Sequence, residues 1–127
     1  MISGIMTLLL ADAPLTAIVG NKIYPVVAEQ DVRRPYVTVR RTGVTPTIVK
    51  NQNSDKDEVV FNIAAYDDTY KKCIDILAAV RTVIDGFQGT SNGINFLNTW
   101  YTVSEDLFDK DDNTYIVVDT YVARIKR

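Results

Sequence analysis

Histidine is absent from the chain, and cysteine occurs only once, at Cys73. Without an imidazole, the chain has no serine–histidine–aspartate or cysteine–histidine catalytic arrangement and no zinc site that uses histidine. A single thiol forms neither a disulfide within the chain nor a thiolate cluster. Cys73 falls on the apolar side of a predicted helix, which favours a packing role in the core over a role as a nucleophile.

Long hydrophobic runs are also missing. The apolar stretch GIMTLLLADA near the N-terminus is far shorter than the roughly 18 residues of a membrane-spanning helix. The first basic residue is Lys22, so the charged region that opens a signal peptide does not precede the run. The spacing of Ile2, Ile5, Met6 and Leu9 predicts instead a helix that faces the core. We therefore expect no membrane association.

Charge is nearly balanced over the chain. Among 127 residues, 46% are hydrophobic and 24% are charged, which is ordinary for a globular protein and predicts one domain over residues 1–127. The net charge of −2 gives the whole chain no electrostatic attraction for nucleic acid. Contact with DNA would therefore depend on local clusters of basic residues.

Hydrophobic periodicity and turn residues divide the chain into elements. We predict helices over residues 2–11, 14–20 and 69–85, and strands over 22–25, 36–42, 57–66, 94–107 and 114–126. The last two strands are joined by FDKDDN and form a terminal hairpin. Between them and the last helix, QGTSNG is predicted to form turns only.

The polar segment GVTPTIVKNQNSDK, residues 43–56, leaves two interpretations open. A connection this long in a small domain is either functional or mobile. Alternatively, VTPTIV extends the two flanking strands into a projecting hairpin.

The last predicted strand is apolar on both faces. Period-two alternation places Tyr115, Val117, Tyr121, Ala123 and Ile125 on one face and Ile116, Val118 and Val122 on the other. A hairpin strand with one wet face alternates more cleanly than this. A small domain has few helices to cover both faces, so the pattern points to a partner subunit.

Arg81 interrupts the apolar side of the helix predicted over residues 69–85, where it projects between Tyr70 and Ile74. One interpretation is that its aliphatic stem covers apolar surface while the guanidinium reaches water. The other is an ion pair with a carboxylate of a neighbouring strand or subunit.

The acidic segment DKDDN resembles the start of a calcium-binding loop. Asp109, Asp111 and Asn113 occupy its first, third and fifth positions, but Thr114 and Thr120 stand where glycine and glutamate belong. A solvated hairpin tip accounts better for the segment. Other carboxylate pairs lie at turns or strand edges and do not converge on one substrate, so we expect no metal, no cofactor and no catalytic site.

Four of the chain's seven arginines crowd into residues 22–41: Arg33, Arg34, Arg40 and Arg41. Consecutive strand residues face opposite ways, which separates the second pair of these arginines. Glu29 and Asp31 flank the first pair. We interpret the four as surface or interface charges and not as a patch that binds phosphate.

Several stretches occur together in an order that resembles the phage tail-completion family, the small tail terminator and head–tail joining proteins of long-tailed phages. They are LLLADAPLTAIVGNKIYP, RPYVTVRR, AAYDDTYKKCIDILAAVRTVIDGF and YIVVDTYVARI. Members of that family carry a Val-Arg pair in the helix, which then ends near Asp-Gly. Val80-Arg81 and Asp85-Gly86 match them. The resemblance covers most of residues 5–87 and the last strand.

The resemblance implies an α+β fold with a mainly antiparallel sheet of about four to five strands and helices packed on one face. It also implies a homo-oligomeric ring, typically a hexamer, at the head–tail junction of the virion, assembled in the cytoplasm of the bacterial host. The implied partners are the tail tube protein and a head connector or stopper protein, with genomic DNA only as passing cargo. Candidate contact residues are Arg33, Arg34, Arg40, Arg41, Thr47, Ile48, Val49, Lys50, Arg81 and Tyr121.

Two alternatives stay open at this point. One is another connector or neck protein of the same region of the virion. The other, from a different class, is a small nucleic-acid-binding module, whose affinity for DNA would fall steeply with salt.

Overall fold

A computed structural model of the chain describes residues 1–28, 32–49 and 52–126. It describes side chains at all of these except residues 45–49 and 52–55. The described part forms α1 (Ile2–Leu10), α2 (Ala13–Val19), β1 (Ile23–Pro25), β2 (Tyr36–Val49), β3 (Gln52–Asp67), α3 (Tyr70–Ile84), β4 (Gly89–Ser91), β5 (Ile94–Asp109) and β6 (Thr114–Lys126). The α+β class is confirmed.

The strands form one curled sheet in the order β1-β2-β3-β6-β5-β4. Neighbouring strands are antiparallel except for β1 and β2, which run parallel. The prediction of four to five strands is therefore wrong, because the described residues form six strands. The additional strand is β4, which pairs with the start of β5 inside the segment predicted to form turns only. Turn-forming residues dominate this stretch, and three residues are too few to show alternation.

Local side-chain chemistry fixes the ends of the helices. Asp12 caps α2, because its Oδ2 accepts a hydrogen bond from the Leu15 N–H at 3.0 Å. Gly86, with φ +81°, follows the end of α3 in the left-handed region that glycine favours. Before α3, the Asp67 carboxylate accepts hydrogen bonds from the N–H and the hydroxyl of Thr69 and so shapes the turn that leads into the helix.

One hydrophobic core lies between the three helices and one face of the sheet. The side chain of Cys73 belongs to it and is fully buried, as its helical spacing predicted. Alternate residues of β2, β3 and β6 supply the sheet side of the core. The helix and central-strand members are Ile5, Leu9, Leu15, Val19, Val37, Val39, Val59, Phe61, Ile63, Ala65, Cys73, Ile76, Leu77, Val80, Ile84, Val117, Tyr121, Ala123 and Ile125.

None of the described helices is alone long and apolar enough to cross a bilayer. The helices α1 and α2 meet that test of length and composition only when counted together, and they are bent by 87° at their junction. Ile5, Leu9, Leu15 and Val19 of this pair are buried in the core.

The strands β2 and β3 continue through most of residues 43–56. The ladder between β3 and β6 starts at Lys56, whereas the ladder between β2 and β3 runs on to the pair Val49 and Gln52. Residues 52–55 therefore lie beyond the ladder shared with β6, and Gln52 and Asn53 pair with β2, so the hairpin extends roughly 13 Å beyond the shared sheet.

Candidate functional site

The described helices pack on the core side of the sheet. We call the opposite face the open face. The strand registers align its side chains in rows across β2, β3, β6 and β5. The first three rows are Tyr36, Tyr66, Ile116 and Leu107; then Thr38, Ala64, Val118 and Glu105; then Arg40, Asn62, Thr120 and Val103. The central residues on β6 are apolar in the first two rows (Ile116 and Val118), whereas the third row is polar at its centre (Asn62 and Thr120).

The curl of the sheet half-buries Ile116, Val118 and Val122 without a covering helix. A groove of about 500 Å³ opens at the Tyr36 end, and its floor includes the stacked rings of Tyr36 and Tyr66, whose centroids lie 4.5 Å apart. Burial, with the neighbouring Tyr66, raises the pKa of the Tyr36 hydroxyl. The groove is lined by apolar residues such as Val26 and Ile116 and by the charged residues Arg34, Asp109 and Asp112.

Arg34 ties the loop before β2 to two other parts of the chain. Its Nε lies 2.6 Å from Asp68 Oδ1, and its Nη1 donates to the Thr114 hydroxyl and, at 3.2 Å, to the carbonyl of Asp112. This arginine therefore holds the turn before α3 and the β5–β6 turn together beside the groove. It is a fixed wall of the groove, and it is already paired within the subunit.

The other three clustered arginines are exposed at separate places. Arg33 lies in the loop, where its carbonyl accepts a bond from the Lys22 ammonium at 3.1 Å. Arg40 lies on the open face and Arg41 on the opposite face of β2, because they are consecutive strand residues. Neither Arg40 nor Arg41 has an ion pair with a described residue. The expected placement of Arg40 and Arg41 on opposite faces of the strand is confirmed. Glu29 and Asp31, which were expected to flank Arg33 and Arg34, lie outside the described residues.

Arg81 forms an ion pair with a carboxylate of a neighbouring strand, as the second interpretation of its position proposed. Its Nη2 lies 3.0 Å from Asp119 Oδ2, and its guanidinium lies 4.1 Å from the centroid of the Tyr101 ring. The Asp119 side chain is fully buried, whereas that of Arg81 is 42% exposed. The hydrogen bond to Asp119 raises the pKa of the Arg81 guanidinium. The pair therefore joins α3 to β6 within one subunit.

Tyr121 is fully buried on the core face of β6, where its ring stacks on Phe61 at 5.6 Å between centroids. It presents no surface to a partner, which corrects its place among the candidate contact residues. Period-two alternation groups it with Val117 and Ala123, but alternation alone does not say which group the helices cover. Burial raises the pKa of the Tyr121 hydroxyl, with the negative charge of Asp119 as the next cause.

The candidates Thr47, Ile48 and Val49 lie on the part of β2 that extends toward the hairpin tip, and their side chains are not described. Lys50 lies outside the described residues. The backbone of Thr47, Ile48 and Val49 lies at the far end of the β2–β3 ladder from Tyr36, away from the groove of the same subunit.

Exposed apolar residues on β5 were missed by the sequence analysis. Val103, Leu107 and Phe108 have 56%, 45% and 45% of their surface exposed. The Phe108 ring packs at 4.8 Å from that of Tyr115, which is itself partly exposed. A signal was available, since large apolar side chains within the polar run TVSEDLFD of a strand suggest contact with something outside the chain.

Sites for metal or nucleophilic chemistry do not emerge in the described ranges. Across residues 1–28, 32–49 and 52–126, no group of three or more acidic, cysteine or histidine side chains is placed to hold a metal ion. In the β5–β6 turn, Asp109 Oδ1 accepts from the N–H groups of Asp111 and Asp112, so this carboxylate shapes the turn. Burial raises the pKa of the Cys73 thiol to about 11, which keeps it protonated and unreactive at neutral pH.

Comparison with known proteins gives a match along nearly the whole chain. The model of the family described as "Tail completion protein gp17" matches residues 3–126. The chain belongs to this tail completion family. It is therefore a structural tail protein of the phage type, as the resemblance implied.

A solved structure shares the fold of this tail completion protein. A chain of the "Virion of native gene transfer agent (GTA) particle" superposes with a TM-score of 0.83 at 18% sequence identity, covering 98% of this chain and 92% of that chain. No curated protein matches the sequence. At this level of identity the likeness concerns the fold.

Proposed function

We propose that the chain is a ring-forming subunit that ends the tail tube and helps to join the tail to the head. The observation that carries the proposal is the family match over residues 3–126. The ring is a homo-oligomer, typically of six copies, and it acts mechanically: it stops tube growth and presents a docking surface. Its place is the head–tail junction of the virion, after assembly in the cytoplasm of the bacterial host.

Two surfaces of the subunit support this role. The open face leaves apolar residues such as Val118 without a helix cover, and β5 exposes Val103 and Leu107. Exposed apolar surface of this kind is typical of protein–protein contacts. The β2–β3 hairpin extends beyond the sheet, where it can reach a second protein without disturbing the core.

The partners are copies of the chain itself, the tail tube protein, and a head connector or stopper protein. Genomic DNA passes through the ring as cargo. The arginines support this arrangement over sequence-reading or phosphate-binding roles, because Arg34 and Arg81 are paired within the subunit and Arg40 and Arg41 face opposite ways. No described surface gathers them into one basic path.

Light scattering with negative-stain imaging, with and without the tail tube protein of the same virion, tests the proposal. We expect rings from the chain alone or rings at tube ends once tube protein is present. A chain that stays monomeric and ignores tubes would overturn the proposal. Binding to the head connector alone would indicate another neck protein, and binding to DNA that weakens steeply with salt would indicate a nucleic-acid-binding module.

A pair of variants tests the contribution of the open face. Val118→Asn places a polar group in the middle of that face, and we expect weaker assembly with the fold retained. Lys72→Asn is the control, since Lys72 is exposed on α3. Equal assembly of both variants would show that the open face is not an assembly surface.

A further inference from the structure

The outer edge of β5 is covered by its own chain along only part of its length. The strand β4 pairs with residues 94–96. Next, the Gly86 N–H donates to the Thr99 carbonyl at 2.7 Å, and the Tyr101 N–H donates to Asp85 Oδ1 at 3.0 Å. From residue 103 to residue 109, the described part of the chain supplies no further strand on this side. Backbone N–H and C=O groups that point outward here have no strand partner among the described residues.

The other side of the sheet has a second open edge, on β2. The strand β1 covers only Val37 to Val39. Residues 40–45 continue β2 with no described strand outside them. A register shift between Arg41 and Gly43 and the following Pro46 limit regular backbone pairing on this edge to a short segment. The two open edges, β2 residues 40–45 and β5 residues 103–109, lie at opposite sides of one subunit.

The charges of the two open edges are opposite. The β2 edge carries Arg40 and Arg41 and no acidic residue, whereas the β5 edge carries Glu105, Asp106 and Asp109 and no basic residue. The faces also agree: Arg40 and Glu105 both lie on the open face, and Arg41 and Asp106 both lie on the core face. If the sheets of two copies join edge to edge, so that the open faces form one continuous surface, Arg40 of one copy lies on the same face as Glu105 of the next. Arg41 then lies on the same face as Asp106.

The β5 edge carries acidic residues but no lysine, proline or bulge within residues 103–109. Natural edge strands commonly carry lysine, proline or a bulge that blocks pairing with another chain. Residues 103–109 contain no lysine or proline and pair with β6 without a register shift. Val103 and Leu107 add exposed apolar surface on the same segment. The edge has the features of a strand that pairs in the assembled state.

We propose that the open edge of β5 in one copy pairs with the open edge of β2 in the next copy, so that the sheets join around the ring. Because β2 and β5 run in opposite directions within the subunit, they meet antiparallel when all copies keep the same strand direction. Two different edges meet, so the contact is heterologous, and repeating it closes a ring or extends a filament. This inference rests on the ring-forming role proposed above and names the segments that hold the ring together.

Amide hydrogen exchange measured by mass spectrometry tests the pairing directly. The chain is compared as a dilute monomer and in its assembled form, with tail tube protein added when the chain alone does not assemble. We expect the exchange rates of amides in residues 103–109 and 40–45 to fall by a factor of about ten or more in the assembled form. If rings form while both segments keep their monomer rates, the edge pairing is wrong and the ring-forming role stands. If no ring or tube-end complex forms, both proposals fail.

A charge-reversal set identifies the partner edge. Arg40→Glu places like charges on the two edges, and we expect the concentration for half-assembly to rise at least about threefold. Adding Glu105→Arg to the same chain restores opposite charges and is expected to restore assembly. Lys72→Glu makes the same change in net charge on exposed α3 and is the control. Unchanged assembly of Arg40→Glu, or no rescue by Glu105→Arg, would overturn the pairing of these two edges.

Discussion

Val117 and Val118 are neighbours on β6, yet they lie in different surroundings. Val117 is 1% exposed and packs in the core between the sheet and the helices, whereas Val118 lies half-buried on the open face among residues of other strands. The same contrast extends along β6, where alternate residues face the core. One face of the sheet is thus completed by the chain itself, and the other face is apolar without a helix above it.

The contrast separates residues that hold the subunit together from residues that are free to hold subunits to one another. Core residues on β6 gain their burial as the chain folds, so their contribution appears in the stability of the monomer. Val118 on the open face is only half-buried in the subunit, and under the proposed role its burial is completed when another protein covers it. Substitutions on the two faces are therefore expected to affect two different measurements.

The largest difference in monomer stability is expected from the same truncation at the two valines. Val117→Ala removes two buried carbons and is expected to lower the unfolding free energy by about 1.5–3 kcal/mol, whereas Val118→Ala lowers it by less than about 1 kcal/mol. Urea denaturation of both variants, at a concentration where the chain is monomeric, measures the difference. Equal losses would mean that the open face contributes to the fold as much as the core does.

Removal of Arg81 is expected to have the next largest effect. Arg81→Met leaves the fully buried Asp119 without its ion-pair partner, and the other oxygen, Oδ1, has no hydrogen-bond partner among the described residues. Because Arg81 is 42% exposed and water can reach the site, we expect a loss of about 1–2 kcal/mol in unfolding free energy.

The matched control for that variant is Lys71→Met. Lys71 forms an exposed ion pair with Asp75 at 3.6 Å, and its loss is expected to change the unfolding free energy by less than about 0.5 kcal/mol. A neutral Arg81→Met would mean that the guanidinium only covers apolar surface and that Asp119 does not need it.

Shortening the projecting hairpin is expected to leave the monomer nearly unchanged. The ladder between β3 and β6 begins at Lys56, so replacing residues 48–53 by Asn-Gly removes no paired residue of that ladder. We expect the unfolding free energy to stay within about 0.5 kcal/mol while joining to the tube or the head connector is lost. Circular dichroism with the imaging assay checks both outcomes, and loss of folding would show that this segment belongs to the core.

The thiol of Cys73 is expected to leave the pH dependence of the unfolding free energy unchanged near neutral pH and to alter it measurably in alkali. Burial raises the pKa of its thiol from the ordinary 9.0 to about 11. A group whose pKa is raised by folding contributes its stability fully below pH 9 and loses it as the pH rises through about 11. Unfolding free energy followed across this range should therefore fall less steeply in Cys73→Ala than in the unchanged chain. Identical slopes would show that the thiol is not held in its protonated form by the fold.

Much of the fold follows from local patterns. The helical spacing of Ile5 and Leu9 and the alternation of Phe61 with Ile63 each record which side of an element is buried, so those elements and their core sides were predictable. The strand β4 was not, because Gly89–Ser91 is strand only by virtue of its pairing with β5.

The candidate site was less predictable because it depends on contacts between distant residues. Arg81 and Asp119 are 38 residues apart, and their pairing follows from how α3 crosses β6. Alternation showed that both faces of β6 are apolar, but it did not show that the helices cover the face of Tyr121 and leave that of Val118. The open edges emerged only from the strand order, which no local pattern contains.

Electron microscopy of tail tubes, polymerised from tube protein with and without this chain, tests the central claim most directly. The account predicts that the chain stops tube growth and forms a ring at one end, which gives shorter tubes that no longer elongate when tube protein is added. Tubes of unchanged length with bare ends, at a chain concentration equal to that of the tube protein, would contradict it.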